Sequence, residues 1–197
     1  RRRVSLCNDF SDIIIATCDN EIEDVINSYG GKVIMTSKKH LMASDRVNEV
    51  AQKIDCTHVI NVQGDEILVM PSDLKKMIKY IKKNNHLDYF NAVSNIENTK
   101  QLNDTNIVKC ITSSSNKIVF CSRIFNKKNL DNNYKPCKKI LGILGYSKKG
   151  LKKFSKIKRT RFEIINSIDQ SRLIESDMHL QGIDFEYGYI GINDKNE

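Results

Sequence analysis

The sequence predicts an α/β architecture: a mixed, mostly parallel sheet flanked by helices, with a smaller antiparallel lobe. Three observations carry that prediction. Residues 12–17, 32–35 and 58–62 are short apolar runs without polar alternation, the pattern of strands buried on both faces of a parallel sheet. Helical patterns separate them at short loop distances, so right-handed βαβ crossovers follow. From residue 88 the helices drop out, and 89–96, 106–112 and 117–121 read as three strands joined by polar loops. That places the antiparallel lobe at 88–139 inside one domain spanning 1–197, a length sufficient for a sizeable core.

Element by element, the first strand turns through Cys18-Asp19-Asn20, where Asp19 is placed to cap a helix over 21–29. Ile22, Val25 and Ile26 share one face of that helix, and Gly30-Gly31 ends it before the second strand. The segment from His40 leads into a helix through residue 54, with Ser44 or Asp45 as its cap. Arg46 falls in the first turn, where the helix dipole disfavours a cation; either a ligand anion or an ion pair with Glu49 accounts for it. A helix over 72–83 follows the third strand. Beyond the lobe, residues 127–139 read as a lysine- and asparagine-rich loop, 140–146 as a strand, 147–156 and 166–176 as helices, and 184–192 as a last strand.

Composition narrows the function classes. Apolar content of 40% and charged content of 28% fit a soluble globular protein. No run approaches the ~18 apolar residues of a membrane span, and no signal peptide is visible. The six cysteines are scattered, with no C-x-x-C pair, as expected for reduced thiols in a cytoplasmic protein without a zinc site. A net charge of +8 invites nucleic acid as a partner. The lysines are spread over many helices, however, and no tryptophan is present. A basic field also suits an enzyme whose substrates are a nucleoside triphosphate and an acid, so neither nucleic acid nor membrane is the expected partner.

The stretch most informative about function runs from Thr57 to Pro71. Its strand, 58–62, runs into Gln63-Gly64-Asp65-Glu66. Ligands of open α/β sheets bind just beyond the carboxyl ends of strands. An acid pair there can hold a hard divalent cation and, through it, a polyphosphate. The same acids could equally cap the segment that follows.

In order, Ala16-Thr17-Cys18-Asp19, Gly30-Gly31, Met35-Thr36, His40 to Arg46 and Asn61 to Glu66 match a known series. So do Asn106 to Lys109, Cys121-Ser122-Arg123, Ile140 to Tyr146, Asp169 to Arg172, and Gly191 to Asp194. Together they resemble the sugar-acid cytidylyltransferases, most of all the CMP-Kdo synthetase type. That family runs A-T-D-D, G-G, M-T, H-x-S-G-T-D-R, N-V-Q-G-D-E-P, N-V-V-K, F-S-R, H-I-G-I-Y-G-Y, E-Q-L-R and G-V-D. The resemblance implies a Rossmann-like fold of the nucleotide-diphospho-sugar transferase type, a homodimer, and attack of a 3-deoxy-ulosonic acid's anomeric hydroxyl on the α-phosphate of CTP. The product would be a CMP-sugar for cell-surface polysaccharide. It implies Mg2+ as cofactor, with Asp65 a metal ligand joined by Asn193 or Asp194. Ser44, Asp45 and Arg46 would lie near the nucleotide. Arg123 would pair with the sugar carboxylate, a bidentate task suited to guanidinium. Gln63, Tyr146, Asp169 and Gln170 would line the sugar pocket, although a core position is an equal reading for Tyr146.

Departures from the pattern sharpen the expectation. Ile140 stands for the family's histidine and Leu144 for its first tyrosine, removing two hydrogen-bonding groups, so the acid need not be Kdo. Asp169 stands for a glutamate, Asn193 for an aspartate, and Ile67 for the proline after G-D-E. The opening I-P-A-R-x-x-S-x-R-L-P-G-K, which grips the triphosphate, has no counterpart. A chain that begins at Arg1 is therefore expected to lack its N-terminal strand and phosphate loop. The competing readings are a cytidylyltransferase for a different acid and a non-catalytic relative that binds a nucleotide sugar.

Overall fold

The computed structural model describes residues 1–125 and 137–188. After a helical turn α1 (Arg2–Ser5), the chain forms the expected βαβ unit: β1 (Ile14–Thr17), α2 (Asn20–Ser28) and β2 (Lys32–Met35). The two strands pair in parallel, with Ile14 opposite Lys32 and Thr17 opposite Met35. Asp19 caps α2 as its position predicts, accepting from the amides of Glu21 and Ile22. Gly30 follows the helix at φ 61°, a left-handed conformation that suits glycine. Ile22 and Val25, expected to face inward, are 45% and 53% exposed. A two-stranded sheet offers too little surface to cover that face.

The remaining strands form one sheet around β7 (Cys137–Ser147), its longest member. On one side β7 pairs antiparallel with β4 (Tyr89–Asn95), which pairs in parallel with β8 (Leu180–Asp184). On the other side two strands lie end to end. β3 (His58–Val62) pairs with residues 143–147, and β5 (Lys109–Thr112) with residues 137–139. β6 (Ile118–Ser122) completes the edge beside β5. Among the described residues, parallel pairing is thus confined to β1/β2 and β4/β8. The antiparallel strands expected over 88–139 belong to the same sheet as β3 and β8.

Alternation along the strands supplies two cores. Tyr89, Val93, Leu144 and Tyr146 face one side of the sheet with Leu151, Phe154 and Leu173. Phe90, Ala92, Leu141 and Ile143 face the other, against Leu74, Met77 and Ile81 of α4 (Pro71–Lys83). The third helix, α3 (Ala43–Lys53), begins at Met42, which offers no capping side chain. Ser44 and Asp45 lie inside its first turn and do not cap it, because the Ser44 hydroxyl is directed to Asp169 at 2.8 Å.

Four further boundaries differ from the sequence expectation. A short helix, α5 (Thr99–Asn103), interrupts the polar loop between β4 and β5, capped by Asn98. Cys137 to Lys139 belong to β7, while residues 126–136 of the expected loop lie outside the described residues. After α6 (Lys148–Phe154), the helix expected over 166–176 begins later, as α8 (Asp169–Glu175), and a helix the sequence reading did not place, α7 (Arg161–Asn166), precedes it. Ser167 separates the two with a left-handed backbone, φ 52° and ψ 50°. The last described strand begins at Leu180, earlier than expected, and ends at Asp184.

A buried ion pair fixes α7 against α8. Arg172 donates from Nε and Nη2 to the two carboxylate oxygens of Glu163 at 2.7 and 2.6 Å. Arg159 adds a bond at 3.0 Å, and the Arg172 guanidinium lies 4.4 Å over the Phe154 ring. Burial alone would raise the Glu163 carboxyl, but hydrogen bonds from Arg172 and Arg159 outweigh it and hold it below its ordinary value.

Candidate active site

The site follows from the way β3 and β5 share one edge of β7. Their pairing leaves residues 140–142 between them, where Ile140 donates to the Val108 carbonyl and Gly142 accepts from the Gln63 amide. A cavity of about 1170 Å3 opens at that junction, floored by Ile140, Leu141 and Gly142. Its walls are the Gln63–Glu66 turn, α5, the 104–108 loop, the residues before α3, and the start of α8. At Gly142 a Cβ would stand 2.7 Å from Gln63 Oε1 and 3.0 Å from Glu66 Oε1, so any side chain there would push both cavity-wall residues aside.

Six of the residues singled out by sequence line this one cavity: Gln63, Asp65, Arg123, Tyr146, Asp169 and Gln170. Asp65 sits on the turn after β3, and among the described residues its carboxylate makes no hydrogen bond or ion pair. An open, partly exposed carboxylate is a hard oxygen donor of the kind Mg2+ takes one or two of, filling its remaining positions with water and phosphate. The residue present therefore fits the ion. Asn193 and Asp194 lie outside the described residues, and no cluster of three potential ligands occurs among the described ones.

Gln170 is held by a residue the sequence reading missed. Asn91 lies at the irregularity of β4, where the register with β7 shifts between Asn91 and Val93. Its amide donates to the carbonyls of Ala92 and Leu141, and its Oδ1 accepts from Gln170 Nε2 at 2.8 Å. Asn91 thereby orients the Gln170 amide at the cavity edge. Asp169, beside it, has its carboxyl raised by burial, partly offset by the Ser44 hydroxyl. Tyr146 is both core and wall: it is 2% exposed, stacked on Phe154 and edge-on to Tyr89, and burial pushes its phenol up. Ile140 and Leu144 both line the cavity, so the two departures noted in the sequence fall where a ligand would meet them.

Arg123 lines the cavity with its guanidinium turned to backbone carbonyls. Its Nε donates to the Asn166 carbonyl at 3.0 Å and its Nη2 to that of Ser167 at 3.4 Å. Its Nη1 donates to the carbonyls of Thr105 and Asn106 at 3.2 and 3.0 Å. The guanidinium ties the 104–108 loop to the α7–α8 turn, two walls of the cavity. Lys109, fully buried, reinforces one of them by donating to the carbonyls of Asp104, Ile107 and Arg123.

Ser44, Asp45 and Arg46 do not line this cavity. Ser44 meets its edge through Asp169. Arg46 bonds the Thr36 hydroxyl, which itself donates to the Thr17 carbonyl, so it stands at the carboxyl ends of β1 and β2. The alternative partner, Glu49, is taken by His40 and Lys53, whose bonds with that of the Ser37 amide hold its carboxyl down at about 2.

Comparison with known proteins supplies the family. The family model described as cytidylyltransferase matches residues 2–181. An 8-amino-3,8-dideoxy-manno-octulosonate cytidylyltransferase of Shewanella pealeana is 30% identical over 179 residues, 88% of this chain and 72% of the relative. A 3-deoxy-manno-octulosonate cytidylyltransferase of Fusobacterium nucleatum is 29% identical over 185 residues, covering 92% and 74%. Among solved structures, a CMP:2-keto-3-deoxy-manno-octonic acid synthetase complexed with CTP superposes with a TM-score of 0.88 at 23% identity, over 98% of this chain and 79% of the other. The chain belongs to the cytidylyltransferase family, and within it to the nucleotidyltransferases of the CMP-Kdo synthetase type.

Proposed function

We propose that this protein activates a 3-deoxy-ulosonic acid with CTP, for assembly of a cell-surface polysaccharide. The anomeric hydroxyl attacks the α-phosphate, a new O–P bond forms as the bond to the β-phosphate breaks, and pyrophosphate leaves. The observation that carries this reading is the convergence of Gln63, Asp65, Tyr146, Asp169 and Gln170, from three separate motifs, on one cavity large enough for a sugar acid beside a nucleotide. Chemistry of this class is positioning plus charge neutralisation. Gln63 and Gln170 orient the sugar, the latter fixed by Asn91. Asp65 would hold Mg2+, which when bound neutralises phosphate charge. Arg46, at the ends of β1 and β2, faces the nucleotide with Asp45 and Ser44 beside it.

The relatives named for the 8-amino acid give a second reading of substrate, and Ile140 and Leu144 in the cavity wall, which offer a sugar no hydrogen bond, leave the choice of acid open. Supplying CTP and Mg2+ with Kdo, its 8-amino analogue and a sialic acid separates the two. Pyrophosphate release with one of them names the substrate, and silence with all three contradicts the proposal. We also place the enzyme in the cytoplasm as a homodimer. Support for the first is the unpaired state of all six cysteines, and for the second the exposed apolar Val119, Phe120, Ile164 and Ile165 beside the β6 edge. No described helix is long and apolar enough to cross a membrane.

Arg123→Lys supplies a check on the cavity walls. Lysine cannot reach four carbonyls from one planar fork. The expected result is a KM for the acid raised about tenfold, with a thermal midpoint lower by a few degrees, ~1–2 kcal/mol of lost hydrogen bonding. Differential scanning fluorimetry and initial rates read both.

A further inference from the structure

Among the described residues, one buried cation of the cavity wall has no ion pair. Lys139 lines the cavity from β7, yet the residue is only 3% exposed. Among the described residues no carboxylate lies within 4 Å of its ammonium. Its contacts are the Gln101 Oε1 at 3.3 Å and the Gly188 carbonyl at 3.2 Å, both long for a charged donor and together fewer than its three protons can make. Gln101 presents that oxygen because its amide is clamped to Glu97, Nε2 donating to the carboxylate at 3.1 Å. Glu97 and Glu66 act on the ammonium only from a distance, and burial outweighs them, so its pKa lies below the ordinary lysine value.

Two more polar groups close by are equally unprovided for. Ser94 stands opposite Lys139 in the β4–β7 ladder, and its buried hydroxyl has no partner among the described residues. A Cβ on Gly188 would meet Lys139 Nζ at 2.2 Å and Ser94 Oγ at 2.7 Å, so ammonium and hydroxyl face a common point. Glu66, 8% exposed on the same cavity wall, leaves Oε2 without a partner among the described residues while Oε1 accepts from the Gly142 amide. A buried ammonium with a spare donor, at the edge of a cavity, is stabilised by an anion that enters that cavity. Arg123, the other cation expected to receive the carboxylate, has four of its donors committed to carbonyls.

We infer that Lys139 is the positioning residue for the carboxylate of the acid substrate. The inference rests on the acid-activating reading above. The carboxylate, and not a phosphate of CTP, is its partner because Lys139 shares its wall with Gln63, Ile140 and Gly142. Arg46, on α3, lies outside this cavity and meets Thr36 at the ends of β1 and β2, which form a separate sheet.

Lys139→Met tests this, keeping the chain length while removing the charge. The expected result is a KM for the acid raised at least about 30-fold, with the KM for CTP changed less than about twofold. The thermal midpoint holds or rises, since an unpaired buried charge is replaced by an apolar chain. Lys139→Arg restores the KM to within about fivefold of the parent. The parent enzyme also binds the acid at least about 30-fold more tightly than its carboxamide, and Lys139→Met loses that preference. An unchanged acid KM, a rise in the CTP KM in its place, or retained discrimination against the carboxamide in Lys139→Met overturns the inference while leaving the function intact. Absence of turnover by the parent with every acid overturns both.

Discussion

Asp65→Asn leaves the fold intact and lowers turnover at least ~1,000-fold. The carboxylate makes no described hydrogen bond or ion pair, and it sits partly exposed on the turn after β3, so its removal takes nothing from the folded state. A neutral amide loses the charge that, on the proposed reading, would hold a magnesium ion against a triphosphate. Charge stabilisation by such an ion is worth several kcal/mol in the transition state, and each 1.36 kcal/mol is tenfold in rate. Single-turnover rates with saturating CTP and acid, beside a thermal melt, measure both halves. Full activity in the variant removes Asp65 from the chemistry; a collapsed melt makes its role structural.

Glu163→Ala has the opposite profile, a loss of stability of about 3–5 kcal/mol. It strands the Arg172 guanidinium, 2% exposed, without the two oxygens it meets at 2.6 and 2.7 Å. The midpoint is expected to fall by about 10 °C in a chain of this size. Replacing both partners, as in Glu163→Met with Arg172→Met, recovers most of it, because two uncharged side chains leave no orphaned ion. The pair also gives stability a pH dependence of fixed sign. The Glu163 carboxyl is held below its ordinary value in the folded state, so its contribution is complete above the unfolded pKa and is lost as pH falls through the folded one. Urea melts from neutral pH into the acid range show the slope in the parent and a flatter one in the double variant. An unaltered slope would mean that other carboxylates set it.

Sequence periodicity made the βαβ unit, the capping aspartate and the strand before Gln63 legible, because each is a local pattern. It failed at residues 137–139, where Cys-Lys-Lys reads as the end of a polar loop and is the start of a central strand. Lys139 was missed with it. Lysine pattern alone cannot reveal a buried ammonium, which takes shape only when β4 is laid against β7. The helix over 166–176 starts only at Asp169, because Ser167, a residue with no sequence mark of a left-handed backbone, separates it from α7. The candidate site was legible as a set of types: Gln63, Asp65, Asp169 and Gln170 do share one cavity. Which side chains are free to meet a ligand was not, since that depends on partners distant in sequence. Arg123 spends its donors on carbonyls 17 to 44 positions away, and Gln170 takes its orientation from Asn91, 79 positions back.

The central claim is cytidylyl transfer to the acid. Phosphorus NMR of the full-length protein with CTP, Mg2+ and the acid that supports turnover tests it directly. The account predicts one new phosphodiester resonance and one equivalent of pyrophosphate for each CTP consumed, with no CDP. Conversion of CTP to CDP and phosphate, or CTP left unchanged beside a tightly bound nucleotide sugar, would contradict it.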